Sequence, residues 1–277
     1  MPTSWLPPPD GSRDRRIEDP TNLFVVHLAG RALLPFALRL GISANPVSLA
    51  GLILGAGGAA AFFHWSDWRY ASLGFGLGVL WLIADGLDGM IARATGTASA
   101  FGRFLDGLCD HGVFLLIYVA LAASIGTAGA WGLAVAAGAT HAVQSTLYEG
   151  ERARFHRRLR GDAGCTPTRP SGNLLVRLYD WVAGIFDGLS DVFDRSLRAA
   201  ADRDALAEAY GRRASAPLRL MALLSNNMRL ILIYLACLVG DPRWFWMIEL
   251  TLLSLVLGVG LVWLRNIEKT MVETAAS

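Results

Sequence analysis

Six apolar segments run through the sequence and restrict the folds open to it; the fifth is short unless it begins before Arg229. They lie at about 46–65, 70–91, 104–124, 129–148, 229–240 and 244–264. A helix that crosses a lipid bilayer needs roughly 20 predominantly apolar residues. The segments therefore predict an all-α integral membrane protein with six transmembrane helices.

The overall composition supports this fold class. Of the 277 residues, 53% are hydrophobic and 17% are charged, whereas soluble proteins average about 25% charged residues. These proportions exclude a disordered chain, a coiled coil and an ordinary soluble enzyme. The net charge of +2 gives no reason to expect a nucleic-acid partner. The three cysteines lie far apart, which argues against a disulfide framework and a zinc site.

The placement of basic residues predicts the orientation in the membrane. With the N-terminus inside, Arg69 and Arg243 are the basic residues that fall in outside loops, and the others fall in inside segments. Cytoplasmic segments carry the excess of Lys and Arg in membrane proteins. We therefore expect an integral protein of a bacterial inner membrane, with both termini on the cytoplasmic side.

The order of polar and apolar stretches predicts four regions. Residues 1–21 form a polar N-terminal tail, and residues 22–149 hold an interfacial amphipathic helix followed by spans one to four. Residues 150–228 form a cytoplasmic helical insertion, and residues 229–277 contain spans five and six and the C-terminal tail. The insertion is either a helical hairpin on the membrane surface or a lid or partner site for an acceptor.

Four aspartates lie near the inner ends of spans two and three. Asp85 and Asp88 are three residues apart, Asp106 and Asp110 are four apart, and either spacing places both members of a pair on one helix face. A short connection makes the two spans antiparallel neighbours, so the four carboxylates can converge. Two divalent cations would balance four negative charges, and hard oxygen ligands suit Mg²⁺ or Mn²⁺.

Other functions for these carboxylates remain open. Aspartates in membrane helices also serve as proton relays, helix-pairing residues or parts of an ion pathway. A two-metal carboxylate site, in contrast, stabilises the attacking and leaving oxygens in phosphoryl transfer. An intramembrane prenyltransferase would also use paired aspartates with Mg²⁺. The flanking glycines serve either helix packing or clearance for a bulky ligand; they are Gly86, Gly89, Gly102 and Gly107.

The segment 85–110 resembles the signature of the CDP-alcohol phosphotransferases, also called CDP-alcohol phosphatidyltransferases. That signature is D-x2-D-G-x2-A-R-x8-G-x3-D-x3-D. Every fixed position is met, by Asp85, Asp88, Gly89, Ala92, Arg93, Gly102, Asp106 and Asp110. The six spans and the N-terminal interfacial helix are also similar to that family.

The resemblance implies a mechanism and a metal cofactor. The four aspartates would hold two divalent ions, Mg²⁺ or Mn²⁺, which bind the diphosphate of a CDP-linked donor. Asp110 would also act as the general base that deprotonates the acceptor hydroxyl. The resulting alkoxide would attack the phosphorus next to the donor alcohol, and CMP would leave.

The resemblance also implies residues that bind the donor nucleotide. Gly89, Ala92 and Gly102 would make room for the cytidine, and Arg93 would hold the diphosphate or brace the metal ligands. Asn45, in the stretch 44–48, matches the asparagine of a P-N-x-x-T element that lies near the nucleotide in the family. A helix start explains Asn45 equally well, because asparagine caps helices and proline follows it here.

The substrates are predicted at the level of the family's subgroups. Six spans favour transfer of phosphatidyl from CDP-diacylglycerol to a small polar alcohol, such as inositol phosphate or glycerol phosphate. The alternative is transfer of a phospho-alcohol from a CDP-alcohol to a lipid such as diacylglycerol or a sphingolipid. Arg152, Arg154 and Arg157 are candidate acceptor-binding residues, or else a basic cluster that contacts lipid head groups. A homodimer is an expectation from the family.

Overall fold

A computed structural model describes residues 14–97, 100–161 and 192–276 of the protein. Within these ranges, the side chains of residues 100–106, 108, 275 and 276 lie outside the description. The signature residues Gly102 and Asp106 are therefore located by their helix alone, and most of the predicted insertion after residue 161 falls outside the described ranges.

Ten α-helices make up most of the described chain, and no strand occurs in these ranges. The prediction of an all-helical protein is confirmed. The helices are α1 (His27–Arg39, preceded by a π-helical turn at Asn22–Val26), α2 (Ala44–Phe62), α3 (Trp68–Thr95), α4 (Ala100–Ile125), α5 (Ala128–Leu159), α6 (192–199), α7 (Arg203–Met221), α8 (Asn226–Val239), α9 (Arg243–Ile248) and α10 (Ser254–Ala276).

Three helical stretches in the described ranges are long and apolar enough to cross a membrane. They are Ala44–Phe62, Trp68–Thr95 and Arg243–Thr274, the last of which joins α9 and α10 through a π-helical turn. The pair Arg203–Leu224 and Asn226–Val239, bent by 43°, raises the number to four if it forms one span. An integral membrane protein is thereby supported, whereas the count of six spans stays a prediction.

The chain divides into two compact units, which are described separately. The aspartate unit comprises Asp19–Ala142 and Leu224–Ser254 and contains all four signature aspartates. The arginine unit comprises Met1–Glu18, Val143–Leu223 and Leu255–Ser277.

Close helix packing builds the core of the aspartate unit. α2 packs against α3 and α4, and α3 also packs against α1 and α8. A Cβ on Gly58 would lie 3.1 Å from the carbonyl oxygen of Gly74, and a Cβ on Gly78 would lie 2.7 Å from Leu230. Small residues permit such approaches between apolar helices. The glycines in α2 and α3 thus bring these helices and α8 close together.

Two local signals set the ends of α3, the helix that carries the first aspartate pair. The side chain of Asp67 accepts a hydrogen bond from the backbone amide of Arg69 and caps the start. At the end, Gly96 adopts a left-handed conformation with a φ of 68°, and the amide of Thr97 donates to the carbonyl of Ala92 at 3.0 Å. A glycine tolerates this conformation without steric cost, which ends the helix about two turns after Asp88.

A buried ion pair joins α8 to the π-helical turn after α9. Arg229 and Glu249 are both fully buried, with 3.1 Å between Nε and Oε1. Arg229 also donates a hydrogen bond to the carbonyl of Leu224. Because a buried charge is costly without a partner, these contacts stabilise an arginine inside an apolar helix.

Candidate active site

An aromatic contact sets the level of the two aspartate pairs. The rings of Trp81 on α3 and Phe114 on α4 meet edge to face, with 5.5 Å between their centroids. Asp85 lies one turn after Trp81, and Asp110 lies one turn before Phe114, so each aspartate shares a helix face with its aromatic residue. The short connection 96–99 follows α3 and precedes α4. Each aspartate therefore lies one helical turn nearer to this connection than its aromatic residue does. The packing therefore places Asp85 and Asp110 at the same level of two neighbouring helices.

Asp88 is the most buried of the signature aspartates whose side chains are described. Its exposed fraction is 5%, and its Oδ2 accepts a hydrogen bond from the hydroxyl of Ser48 on α2. The hydroxyl is a neutral donor, so this bond adds no positive charge to the carboxylate. Ser48 occupies the last position of the P-N-x-x-T element, where the family has threonine. The structure thus gives this position a specific contact, which the sequence analysis did not predict.

Asp110 contacts the start of α8. The side-chain amide of Asn226 donates a hydrogen bond to its Oδ2 at 2.9 Å. The two residues are separated by 116 positions, and helical periodicity carries no information about a contact across such a distance. Sequence reasoning therefore missed Asn226 as a partner of the candidate base.

A second set of polar contacts lies beside Asn226. Ser225 caps α8: its hydroxyl accepts from the amide of Met228 at 3.3 Å and donates to Asp19 at 2.6 Å. Asn227 donates to the hydroxyl of Thr21 at 2.9 Å. The segment before α1 is thereby attached to the first turn of α8.

The glycines that flank the aspartates differ in the space that a Cβ atom would have. A Cβ on Gly86 would lie 2.7 Å from Val26, so this glycine serves helix packing. A Cβ on Gly89 would lie 3.2 Å from the guanidinium of Arg93. Gly107 is exposed, with open space around its missing Cβ. Packing and clearance therefore both occur, at different glycines.

The predicted nucleotide-binding residues lie on α2 and α3. Asn45 is exposed in the first turn of α2, whose N-cap is Ser43. A helix start at this element is therefore confirmed, but Asn45 lies inside the first turn and is not the cap. Arg93 is exposed in the last turn of α3, and Ala92 is half-buried beside it. Their contacts with a nucleotide stay predictions.

The metal site can be compared with the structure in part. Among the side chains that the structure describes, no group of three or more His, Cys, Asp or Glu residues is arranged to hold an ion. The proposed ligand set includes Asp106, whose side chain is outside that description. The chemistry of the set fits a hard cation, since carboxylate oxygens are the ligands that Mg²⁺ and Mn²⁺ prefer. The metal site stays a prediction.

Two predicted acceptor residues take part in ion pairs of the arginine unit. Arg152 pairs with Glu149 at 2.9 Å and with Glu18 at 3.4 Å. Arg154 pairs with Glu151 at 2.7 Å, and Arg157 lies half-buried on the same helix. A basic cluster directed only at lipid head groups does not describe Arg152 and Arg154, because their carboxylate partners lie within the protein.

A buried charge network continues from these pairs. Arg158 lies 2.6 Å from both Asp194 and Glu268, and Arg265 pairs with Glu268 at 2.7 Å and also with Glu151. The network joins α5, α6 and α10. It holds the polar end of α5 by charge pairing, whereas apolar packing dominates the core of the aspartate unit.

Comparison with known protein families identifies the domain that contains this site. Residues 42–156 match the family model described as CDP-alcohol phosphatidyltransferase, and the match includes every fixed position of the signature. No curated protein gives a significant match to the chain.

Residues 42–156 therefore match the CDP-alcohol phosphatidyltransferase family, and the resemblance found in the sequence is confirmed. Members of this family are phosphotransferases, and the family implies transfer of a phospholipid head group from a CDP-alcohol. The family is generally dependent on divalent metals.

Proposed function

We propose that this protein transfers a phosphatidyl group from CDP-diacylglycerol to the hydroxyl of a small polar alcohol. The acceptor oxygen forms a bond to the phosphorus that carries diacylglycerol, and the bond from that phosphorus to the bridging oxygen of the diphosphate breaks. CMP leaves with that oxygen, and the acceptor proton goes to Asp110. The observation that carries the proposal is the complete signature within residues 42–156, with Asp85 and Asp110 level on neighbouring helices.

Each signature aspartate has a role in this reaction. Asp85, Asp88, Asp106 and Asp110 hold two divalent cations, Mg²⁺ or Mn²⁺. When bound, the cations neutralise charge on the diphosphate and orient the donor for in-line attack. The bond from Ser48 holds the carboxylate of Asp88 in place. Asp110 takes the proton of the acceptor hydroxyl, for which a general base must come within hydrogen-bond reach.

The nucleotide half of the donor binds along α2 and α3. Asn45 and Arg93 are exposed, as this role requires. Gly89 and Ala92 leave little bulk on the same stretch of α3, and Gly102 has the corresponding role on α4. Arg93 contacts the diphosphate or braces the metal ligands.

A phosphorylated alcohol, inositol phosphate or glycerol phosphate, is the acceptor in this proposal. Arg152, Arg154 and Arg157 are its candidate ligands, since a guanidinium can donate two parallel hydrogen bonds to a phosphate. Arg152 and Arg154 already have carboxylate partners, so a phosphate would have to share them or displace those partners. The proposal also includes six spans, a cytoplasmic site in a bacterial inner membrane and a homodimer.

The reaction is tested by measuring CMP release from CDP-diacylglycerol with Mg²⁺ or Mn²⁺. The purified full chain is incubated in separate reactions with glycerol phosphate, inositol phosphate, inositol or serine, and without an acceptor. We expect release that depends on one acceptor and stops with a chelator. Asp110→Asn should abolish it, because an amide does not accept the proton. Asp241→Asn is the matched control, since Asp241 is half-buried, pairs with the exposed Arg243 and lies outside the signature.

Three results would contradict parts of this proposal. A folded preparation that releases no CMP with any acceptor excludes CDP-diacylglycerol, and CDP-choline or CDP-ethanolamine with diacylglycerol becomes the alternative. Full activity of Asp110→Asn removes that residue as the base. Movement of a substrate across the membrane without CMP release would indicate a transporter.

A further inference from the structure

We propose that Asn226 is a positioning residue for Asp110, whose side-chain amide orients the carboxylate that accepts the acceptor's proton. This inference rests on the proposed function, in which Asp110 is the general base. Asn226 lies outside the matched segment 42–156, at the first residue of α8. The catalytic segment is therefore completed by a residue that the signature does not contain.

The geometry of the contact indicates an orienting role. The amide nitrogen of Asn226 is 2.9 Å from Oδ2 of Asp110. An ionised carboxylate has no hydrogen to donate, so the amide is the donor and the carboxylate the acceptor. A hydrogen bond to one oxygen restrains rotation of the carboxylate about its bond to Cβ. The position of the second oxygen is then restrained as well. Because proton transfer requires a defined distance and angle to the acceptor hydroxyl, this restraint acts on the chemical step.

The position of Asn226 is itself determined by buried contacts. Ser225, the preceding residue, caps α8 and donates to Asp19 at 2.6 Å. Asp19 is 5% exposed, and its other oxygen accepts from the amide and hydroxyl of Thr21, each at 2.8 Å. The residue before Asn226 is thus attached to a buried carboxylate. The backbone at Asn226 is therefore already held in place, which restricts the positions open to its side-chain amide.

The next residue along the chain provides a matched comparison. Asn227 has the same side chain and also donates one hydrogen bond of 2.9 Å, but its acceptor is the hydroxyl of Thr21. Loss of either amide removes one hydrogen bond from the first turn of α8. Only the loss of the Asn226 amide also removes a hydrogen bond from the carboxylate of Asp110.

Steady-state kinetics of the full-length Asn226→Ala and Asn227→Ala variants test this role. The assay is CMP release from CDP-diacylglycerol with the acceptor found for the wild type, and thermal unfolding is measured on the same preparations. We expect Asn226→Ala to lower kcat by about 10- to 100-fold with both KM values within about threefold, because a misplaced base slows the chemical step. Asn227→Ala should leave kcat within about twofold. The two unfolding temperatures should be similar, because each variant loses one bond.

The wild type and Asp110→Asn separate failure of this inference from failure of the proposed function. An inactive wild type overturns the proposed function and the inference with it. An active Asp110→Asn removes Asp110 as the base and overturns the inference, whereas the transfer reaction itself stands. If both behave as expected but Asn226→Ala has the kcat of Asn227→Ala, the positioning role is wrong and the proposed function stands. A raised KM with unchanged kcat would also overturn it, because Asn226 would then bind substrate.

A second pair of variants keeps the test decisive if the alanine variants do not fold. Leucine has nearly the shape of asparagine and has no polar group, so Asn226→Leu and Asn227→Leu retain side-chain volume. The same loss of kcat is expected at position 226 alone. Equal kcat values in the leucine pair would overturn the positioning role.

Discussion

Replacement of Arg158 by methionine would test the buried charge network of the arginine unit. The side chain of Arg158 is 1% exposed and lies 2.6 Å from both Asp194 and Glu268. Its guanidinium is also 4.8 Å from the ring centroids of Phe193 and Tyr210. Methionine fills much of the same space but removes the charge, so the variant separates packing from charge pairing.

The magnitude follows from the carboxylates that remain. Breaking a buried ion pair by removing one partner typically costs about 3–5 kcal/mol, because a buried charge is left uncompensated. Glu268 retains Arg265 at 2.7 Å, and the side chain of Asp194 is 18% exposed and can be hydrated in part. Both facts place the loss in free energy of unfolding at the lower end of this range, at about 3 kcal/mol. For a chain of this size, that corresponds to a fall in unfolding temperature of about 6–12 °C.

The assay is thermal unfolding of the purified protein in detergent, followed by circular dichroism. Arg212→Met is the matched control, because Arg212 pairs with Glu208 at 3.5 Å but is 67% exposed. An exposed pair contributes about 0.2–1 kcal/mol, so the control should unfold within about 4 °C of the wild type. A shift for Arg158→Met no larger than that of the control would refute the reasoning, since the buried network would then have no net effect.

Two further predictions concern one contact in each unit. Ser48→Ala should lower the rate of CMP release by about tenfold, because Asp88 would lose its hydrogen bond from this hydroxyl and a hydrogen bond to a charged group contributes about 1.5–3 kcal/mol. Ser48→Thr keeps a hydroxyl and should retain the rate. Equal rates for the two variants would contradict the role of Ser48. Burial raises the pKa of Asp14, but hydrogen bonds from Arg16 and its charge outweigh this and hold the pKa below its ordinary value of 3.8. Because the folded-state pKa is depressed, the stabilisation is complete above the ordinary value and is lost as the pH falls through the folded-state pKa. Unfolding temperatures of the wild type and Asp14→Asn should therefore differ at neutral pH and converge as the pH falls through the folded-state pKa, and a constant difference would show that the pair does not stabilise the fold.

The positions of the membrane helices could be predicted closely from the sequence, and their ends less well. The predicted span at 46–65 corresponds to α2, Ala44–Phe62, and the span at 70–91 lies within α3, Trp68–Thr95. The ends depend on caps such as Asp67 and Gly96, which hydropathy does not detect. The span predicted at 129–148 lies within α5, which continues to Leu159. Ion pairs within the arginine unit stabilise this polar extension of α5. The hydropathy of the apolar segment before it does not predict these ion pairs.

Some residues of the candidate site could likewise be predicted from the sequence, and others could not. Asp85 and Asp88 share a face of α3 because of helical periodicity alone, and the family signature is a local pattern within residues 85–110. The sequence by itself therefore determined the fold class, the domain family and the aspartates proposed to hold the metals.

The tertiary structure decided which distant residues support those aspartates. Ser48 contacts Asp88 because α2 packs on α3, and Asn226 contacts Asp110 because the start of α8 lies beside α4. The same is true of Arg158, whose partners Asp194 and Glu268 lie on two other helices. The physical reason is that periodicity determines which face of a helix a residue occupies, whereas the partner of that face depends on how separate helices pack.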